Sequence, residues 1–231
     1  MGHITTDFIN SFSKNKPSVF VETGTFKGGI PQRMLQDGTF NEWEKIYTIE
    51  LNEEMCKIAS KRYSLYESGG SFNQDTDEKD ETFKDRKEFF GGKLLLVQGD
   101  SGEKLKDVLS EIHEPCVFWL DAHAGAKEGY ARGEVDCPLI QELETIKKHN
   151  VKNHIVTIDD ADLLGQKQYK DGNVVCDYSD ITRDRVEKLL SEINSNFSVS
   201  YPSPFGQLMV VSLENVKDES EIIKSNNWWN E

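Results

Sequence analysis

The sequence predicts an α/β fold, a doubly wound and mostly parallel seven-stranded sheet that ends in an antiparallel hairpin. Short apolar segments alternate with segments of helical periodicity along most of the chain, which is typical of α/β proteins. The apolar segments have apolar residues on both faces, as strands covered by helices on both sides do. The last two apolar segments have no helix between them, which predicts the hairpin.

The seven predicted strands are four to six residues long and are bounded by polar or glycine-containing stretches. In chain order they are Ser18–Val21, Ile46–Ile49, Lys93–Val97, Cys116–Leu120, His154–Ile158, Phe197–Tyr201 and Leu208–Leu213. The last two are separated by six residues, too few for the crossover helix that joins parallel strands. We therefore predict that they pair antiparallel.

Five segments with helical spacing of apolar residues lie between the strands. They are Ile30–Leu35, Glu53–Tyr63, Gly102–Ile112, Pro138–Lys148 and Arg183–Ile193. In the fourth of them, Leu139, Leu143 and Ile146 recur on one face. Pro138 stands in its first turn, where the missing N–H has no intrahelical partner to lose.

The length of 231 residues suits one α/β domain, so we expect a single domain over residues 1–231 with an N-terminal extension over 1–17. Residues 67–86 are polar and acidic, and we interpret them as an inserted surface loop. Either an excursion without fixed structure or a mobile lid over the substrate fits this composition. We refer to this segment as the acidic loop.

Composition excludes several classes of protein. A net charge of −14 argues against nucleic-acid binding, which depends on Lys and Arg neutralising phosphates. The four cysteines form no CxxC pair, which favours free thiols in a reducing compartment. No signal-peptide pattern and no apolar run near the ~20 residues of a membrane span is evident, so we expect a cytoplasmic protein without a membrane partner.

Polar residues follow the first three strands at one edge of the predicted sheet. The first strand runs into a glycine-containing turn, where a ligand can approach the backbone closely. Glu50 ends the second strand and suits ribose hydroxyls, while Asp100 and Ser101 follow the third and either cap the next helix or reach an adenine amine. The candidate cofactor-binding residues are Glu22, Thr23, Gly24, Thr25, Gly28, Glu50, Asp100, Ser101 and Asp121.

A second group of acidic residues follows the fourth and fifth strands. Asp121 ends one, and Asp159 and Asp160 end the other. Adjacent strands lie about 4.8 Å apart, and two like charges at ~4 Å repel by roughly 4 kcal/mol at an effective dielectric near 20. Oxygen ligands favour Mg²⁺, Mn²⁺ or Ca²⁺ over zinc. We predict a metal site of these three aspartates, although helix capping or a purely structural ion remains open.

Two sets of motifs resemble those of a known family. Glu22-Thr23-Gly24-Thr25 resembles the first motif of class I methyltransferases that use S-adenosylmethionine (SAM). The segments 118–123 (Phe-Trp-Leu-Asp-Ala-His) and 158–161 (Ile-Asp-Asp-Ala) resemble the metal-binding motifs of the macrocin-type sugar O-methyltransferases. The resemblance extends from Ser18 to Leu213; the first motif is common to many families, and the paired carboxylate motifs are more discriminating.

The resemblance implies a Rossmann-like fold, SAM as cofactor, a divalent ion, and a sugar or glycan hydroxyl as methyl acceptor. It also implies Glu50 as the ribose acid and homo-oligomers as a common assembly. The chain departs from the family in the acidic loop and in its short N-terminal region. Because those segments usually frame the acceptor, the resemblance leaves the acceptor open.

His123 is the predicted catalytic base. It lies two residues after Asp121, so both side chains face the same side if the chain stays extended. A sugar hydroxyl is a weak acid, and a base that titrates near neutrality assists its deprotonation. The resemblance places the family's base here too, with Asp121 beside it as catalytic residue and metal ligand. The following segment, Ala124–Asp136, either closes over the acceptor through Tyr130 or Arg132 or is an ordinary surface loop.

Other functions fit parts of the pattern. An O-methyltransferase of a non-sugar small molecule such as a catechol shares the metal chemistry. A non-catalytic module that binds SAM or a nucleotide within a glycan-assembly system keeps the fold alone. A nucleotide-sugar glycosyltransferase is disfavoured by the C-terminal hairpin, and a nicotinamide reductase by the incomplete GxGxxG turn and the lack of an evident Tyr/Lys pair.

Overall fold

The computed structural model describes residues 8–9, 12–14, 16–70, 77–126, 129–203 and 207–213. Most of the predicted N-terminal extension, and the aromatic tail at 226–229, lie outside the described residues. Ten strands occur in the described residues: β1 (Val19–Thr23), β2 (Lys45–Glu50), β3 (Arg86–Phe89), β4 (Leu94–Gln98), β5 (Cys116–Leu120), β6 (Ile155–Ile158), β7 (Lys167–Lys170), β8 (Asn173–Asp177), β9 (Ser198–Ser200) and β10 (Met209–Ser212).

Five α-helices lie between these strands, together with short 3₁₀ turns at Thr39–Glu42 and Ala161–Leu163. The helices are α1 (Gly29–Asp37), α2 (Glu53–Glu67), α3 (Ser101–Ser110), α4 (Leu139–Lys148) and α5 (Arg183–Ile193). Each overlaps one predicted helix. The predicted start of α4 shifts by one residue, because Pro138 is its N-cap.

The main sheet has eight strands in the order β3-β4-β2-β1-β5-β6-β10-β9. Its five central strands are parallel, and β10 pairs antiparallel with both β6 and β9. The predicted fold class, a mostly parallel α/β sheet closed by a C-terminal antiparallel hairpin, is therefore confirmed. The carboxyl ends of the parallel strands meet at one edge, where ligands of such sheets bind.

Helices cover both faces of the sheet because its central strands are apolar on both faces. On one face Leu105, Leu143 and Leu190 of α3, α4 and α5 pack with the strands. On the other face Met34 and Tyr63 of α1 and α2 do so. Phe8, Ile9 and Phe12 are also buried in this second cluster, so the described part of the N-terminal extension contributes to the core.

Three strands were missed by the sequence prediction. The edge strand β3 pairs antiparallel with β4. It is short and charged, so the sequence shows no apolar run there. The hairpin β7–β8 turns at Asp171-Gly172, both with φ above zero (52° and 80°). An Asp-Gly pair is a hairpin signal that sequence reasoning should have used.

The predicted bounds of the acidic loop differ from those in the structure. Its first residue is the last of α2, its last residue begins β3, and residues 71–76 lie outside the described part. Asp80 accepts hydrogen bonds from Ser60 at 2.6 Å and from Lys87 at 2.7 Å. Phe83 is buried. From residue 77 onward the segment is therefore anchored to α2, while most of its residues are exposed.

All four cysteines are free and buried, as expected from their scattered positions. Within the described ranges, no helix is both long and apolar enough to cross a membrane.

A chain of hydrogen bonds joins the buried His154 and the half-buried His149 at the opposite edge of the sheet from the strands' carboxyl ends. The Cys116 N–H donates to Nδ1 of His154 at 3.0 Å. The ring nitrogens His154 Nε2 and His149 Nδ1 are 3.2 Å apart, and His149 Nε2 lies 2.9 Å from the carbonyl oxygen of Ile112. One direction of donation satisfies every link, and it requires both rings to be neutral.

These hydrogen bonds, which require neutral histidine rings, predict that the protein loses stability at acid pH. Burial, with the neighbouring His149, lowers the pKa of His154 to about 4. An unfolded histidine titrates near 6.5, so the unfolded chain binds the proton first and the free energy of unfolding falls between pH 6.5 and pH 4. The expected loss from this group is about 3 kcal/mol. Urea unfolding of the wild type and of His154→Gln at pH 7.5 and pH 4.5 measures it.

The difference between the two proteins isolates His154 from other titrating groups. The wild type should lose more stability on acidification than the variant does. An exposed-site control, His113→Ala, should follow the wild type. Equal losses in wild type and His154→Gln would show that His154 is not the acid-sensitive group.

Candidate active site

A cavity of about 350 Å³ opens at the carboxyl ends of β1, β2, β4 and β5. Seven of the nine predicted cofactor residues line it: Glu22, Gly24, Thr25, Glu50, Asp100, Ser101 and Asp121. The other two, Thr23 and Gly28, lie behind the wall. Thr23 is fully buried, and the Gly28 carbonyl accepts a hydrogen bond from the Tyr63 hydroxyl at 2.7 Å.

The turn after β1 packs directly against the end of β5. Gly24 has a φ of 85°, and a Cβ there would lie 2.5 Å from the carbonyl oxygen of Asp121. Only glycine fits this conformation and this close approach. The turn therefore brings the first motif and the Asp121 segment to the same wall of the cavity.

Glu22 supports this turn from inside. Its carboxylate accepts a hydrogen bond from the Ile30 N–H at 2.7 Å, at the start of α1, and another from the Thr48 hydroxyl. The Thr48 hydroxyl also contacts that of Thr25. Burial raises the pKa of Glu22 to about 7. The carboxylate thus ties β1, β2 and α1 together beneath the cavity floor.

Glu50, the predicted ribose-binding acid, lies at the wall of the cavity. Its two carboxylate oxygens accept from the Phe26 N–H at 2.6 Å and the Asn52 N–H at 2.8 Å. Burial raises its pKa, although these bonds favour the charged form. Each oxygen keeps a further lone pair for a ligand hydroxyl. The backbone bonds hold the side chain at the cavity wall.

Asp100 both caps a helix and lines the cavity, so the two roles considered for it are compatible. Its Oδ1 accepts from the Gly102 N–H at 2.9 Å, at the N-terminus of α3. The next residue, Ser101, donates to Oε1 of Glu142 at 2.6 Å. Glu142 was missed by sequence reasoning, although it occupies the buried face of α4.

At the far end of the cavity three side chains converge. His123 Nε2 lies 3.7 Å from Asp121 Oδ1 and 3.2 Å from Asp160 Oδ2. One ligand atom from each of the three residues lies within 4.8 Å of the others. We call these three residues the acidic–histidine cluster. Asp159 is beside it, but its Oδ1 accepts from the Asp160 N–H at 3.0 Å.

The structure therefore brings together two of the three predicted metal ligands, with His123 in the place expected for the third. Asp160 adopts a φ of 52°, in the left-handed region that non-glycine residues rarely occupy. Asp and Asn adopt this conformation more readily than other non-glycine residues, chiefly in turns. In the turn after β6 the Asp160 carboxylate lies beside His123.

The two carboxylates of the cluster concentrate negative charge around His123. Burial, and then the proximity of Asp159, holds the pKa of Asp121 well above its usual range. Burial alone would lower the pKa of His123, but Asp160 and Asp121 outweigh it and raise it to about 11. Without a cation, the cluster therefore retains a proton on the imidazole. A divalent ion can supply the same compensation.

The orientation of His123 is set by its other ring nitrogen. Nδ1 lies 2.6 Å from the Ala124 carbonyl oxygen, to which it donates, so Nε2 faces the carboxylates. Histidines that serve metal sites are commonly oriented in this way. Tyr130 packs against the His123 ring and against Phe26, with ring centroids 5.4 and 5.3 Å away, and forms a wall of the cavity.

The segment after His123 folds back on itself, with residues 127–128 outside the described part. The Ala124 N–H donates to the Asp136 carbonyl oxygen at 2.6 Å. Arg132 forms an ion pair with Asp136 at 3.1 Å and contacts the carbonyl oxygen of Val175 in β8 at 3.3 Å. The missed hairpin β7–β8 therefore supports the segment that carries Tyr130.

No protein-family model and no curated protein matches the sequence. Solved structures with a similar fold include a Streptococcus mutans protein assigned as a methyltransferase, in complex with SAH, at 13% identity and a TM-score of 0.47 over 89% of this chain and 93% of that one. The SAH-bound Podospora anserina methyltransferase PaMTH1 is 14% identical, with a TM-score of 0.46 over 85% and 72%. The glycopeptide N-methyltransferase MtfA, with sinefungin, is 13% identical, with a TM-score of 0.41 over 84% and 79%. Structures this distant establish nothing about the activity of this chain.

Proposed function

We propose that this protein is a SAM-dependent and divalent-metal-dependent O-methyltransferase that acts on a hydroxyl of a sugar or glycan. The observation that carries the proposal is the half-buried acidic–histidine cluster, of which Asp121 and His123 line a cavity that is also lined by Glu50 and Asp100. The acidic–histidine cluster suits a metal and an acceptor oxygen. The walls that hold Glu50 and Asp100 suit an adenosyl cofactor, with Glu50 at the ribose and Asp100 near the adenine.

The donor set of the cluster fits a divalent ion. Carboxylates suit Mg²⁺, Mn²⁺ and Ca²⁺, and a neighbouring imidazole favours Mn²⁺ among these. His123 Nε2 lies 3.2 Å from Asp160 Oδ2, so the imidazole stands beside the carboxylates. Asp121 and Asp160 would hold the ion directly.

The cluster can activate an acceptor hydroxyl. When bound, a divalent ion acts as a Lewis acid that makes a nearby hydroxyl more acidic. His123 is the base that takes the proton on Nε2, since Nδ1 is occupied by the Ala124 carbonyl. A cation at Asp121 and Asp160 also offsets the negative charge that otherwise keeps His123 protonated.

Methyl transfer further requires alignment of the acceptor oxygen with the methyl group. The single continuous cavity brings the proposed cofactor walls and the acidic–histidine cluster into contact through Asp121, which belongs to both. Such alignment contributes on the order of 7–11 kcal/mol to catalysis in oriented systems. Phe26 and Tyr130 would exclude water from the reacting atoms.

A small or glycan acceptor fits the charge of the protein better than a nucleic acid. The chain has 41 acidic and 27 basic residues, and phosphate backbones need a basic surface. The sugar class itself follows from the resemblance of the two carboxylate motifs. A non-sugar small-molecule acceptor remains the second candidate, because the acidic–histidine cluster would activate its hydroxyl equally well.

Thermal unfolding with and without ligands tests the proposal. SAM or S-adenosylhomocysteine at about 100 times its dissociation constant should stabilise the protein by about 2.7 kcal/mol, a Tm increase of roughly 5–10 °C. Mn²⁺ or Mg²⁺ should add to this increase. NAD and UDP-sugars are the controls; stabilisation by a UDP-sugar but not by SAM would contradict the proposal.

The acceptor class is tested with radiolabelled SAM. Transfer of label to free sugars or glycans, abolished by EDTA and restored by Mn²⁺, is the expected result. Parallel reactions with catechols and with RNA distinguish the other acceptors. Labelling of RNA, or labelling that EDTA leaves unchanged, would overturn the proposed chemistry.

A further inference from the structure

Glu142 is a carboxylate in the core of the protein. It belongs neither to the acidic–histidine cluster nor to the residues that line the 350 Å³ cavity. Glu142 lies in the first turn of α4, on the same face as Leu139, Leu143 and Ile146, and is only 1% exposed. That face packs into the hydrophobic core, where an apolar residue would avoid the free-energy cost of burying a carboxyl group. The polar residue at this position therefore calls for a specific role.

Glu142 joins two segments that come from different strands. Its Oε1 accepts from the Ser101 hydroxyl at 2.6 Å, and it also forms a side-chain hydrogen bond with Thr23. Ser101 is the first residue of α3, directly after β4, and Thr23 is the last residue of β1. Both hydroxyl groups are buried, so neither has water as an alternative partner. One carboxyl group thus links β1 to the start of α3.

The linked segments are two walls of the proposed cofactor site. Gly24, which follows Thr23, and Asp100, which precedes Ser101, both line the cavity. The distance between them sets the width of the cavity between the first turn and the third parallel strand. Glu142 approaches both walls from behind, so it can set this width without contacting the cofactor.

The acidic–histidine cluster depends less on Glu142. The Asp121 N–H donates to the carbonyl oxygen of Thr23 at 3.2 Å and also to the Thr23 hydroxyl at 3.4 Å. The bond to the carbonyl oxygen is a backbone contact, which remains when Glu142 is replaced. Asp160 is held by the turn after β6. Loss of Glu142 should therefore affect the cofactor half of the cavity selectively.

We propose that Glu142 is a positioning residue, which holds the first turn and the start of α3 at the separation that SAM binding requires. This inference rests on the proposed function. According to this inference Glu142, a residue of α4, controls the affinity of the protein for SAM. A residue that only supports the fold would instead affect all ligands and the stability together.

Glu142→Leu removes both hydrogen bonds at similar volume and completes the apolar face of α4. We expect the Tm to stay within about 5 °C of the wild type, because removing a buried carboxyl group stabilises the protein and leaving the Ser101 and Thr23 hydroxyls without this partner destabilises it. The dissociation constant for SAM, measured by calorimetry, should rise about tenfold, and that for Mn²⁺ should change less than about threefold. Glu144→Leu is the matched control, since the Glu144 side chain is 40% exposed on the same helix. It should bind both ligands as the wild type does.

A second variant keeps the test decisive if Glu142→Leu does not fold. Glu142→Gln has nearly the same shape and keeps an oxygen to accept from Ser101, but its amide cannot accept from Thr23. We expect a SAM dissociation constant about threefold above that of the wild type. Unchanged SAM binding in the folded variants overturns the inference, and so does a parallel loss of Mn²⁺ affinity. Failure of the wild type itself to bind SAM would instead overturn the proposed function.

Discussion

Asp121→Asn should lower the affinity for Mn²⁺ by at least about a hundredfold, and methyl transfer by about a thousandfold. Removing one of two carboxylates lowers the charge of the site, which is a main determinant of affinity for hard cations. The Lewis-acid contribution, worth several kcal/mol, is then lost. Calorimetry measures the Mn²⁺ affinity, and label transfer from SAM measures turnover.

Two companion variants make this result specific. Asp159→Asn keeps an oxygen that accepts from the Asp160 N–H, so we expect less than about a tenfold loss. Asp107→Asn, on the exposed face of α3, should leave both quantities unchanged. If Asp159→Asn is as defective as Asp121→Asn, the ion is held by all three aspartates and the ligand set proposed from the geometry is wrong.

His123→Ala should reduce turnover by about 10²–10⁴-fold, the usual contribution of a general base. The Ala124 carbonyl oxygen occupies Nδ1, so Nε2, which faces the carboxylates, is the nitrogen that can take the proton. The dissociation constant for Mn²⁺ should change little if this residue acts only as the base. His113→Ala, at an exposed position, is the control and should retain full turnover.

The same variant distinguishes a base from a third metal ligand. Loss of a ligand would weaken Mn²⁺ binding by a factor comparable to the loss of turnover, and saturating Mn²⁺ would restore activity. Loss of a base would leave turnover low at any Mn²⁺ concentration. A His123→Ala protein that binds SAM and Mn²⁺ and retains wild-type turnover removes His123 from the mechanism.

Much of the fold follows from local patterns. The five central strands are continuous apolar runs, and helical periodicity is strong in the segments that became α3, α4 and α5. Buried strands of this kind have one stable arrangement, with helices on both faces. The antiparallel end of the sheet followed from the length of one connection. These features can be predicted from the sequence because each depends on a few consecutive residues.

The polar strands were harder to predict. The edge strand β3 has charged residues on its exposed face, so composition alone made it part of a loop. The hairpin β7–β8 is held by its turn and by contacts with the segment before α4, including the hydrogen bond from the Asp177 N–H to Asp136. The contact between Asp177 and Asp136 joins residues that are 41 positions apart in the chain. Local patterns do not record such a contact, although the Asp171-Gly172 turn is a local signal.

The candidate site, like the fold, was predictable from the sequence only in part. The sequence alone determined which strand ends carry acids, because a strand's carboxyl end and its last polar residue are local features. Only the tertiary structure decided that His123 Nε2 lies 3.7 Å from an Asp121 oxygen and 3.2 Å from an Asp160 oxygen. It also revealed that Glu142 reaches two strand ends from a helix behind them. The direction of a side chain at a strand end depends on backbone torsions and on neighbours from distant segments, and these exist only once the chain has folded.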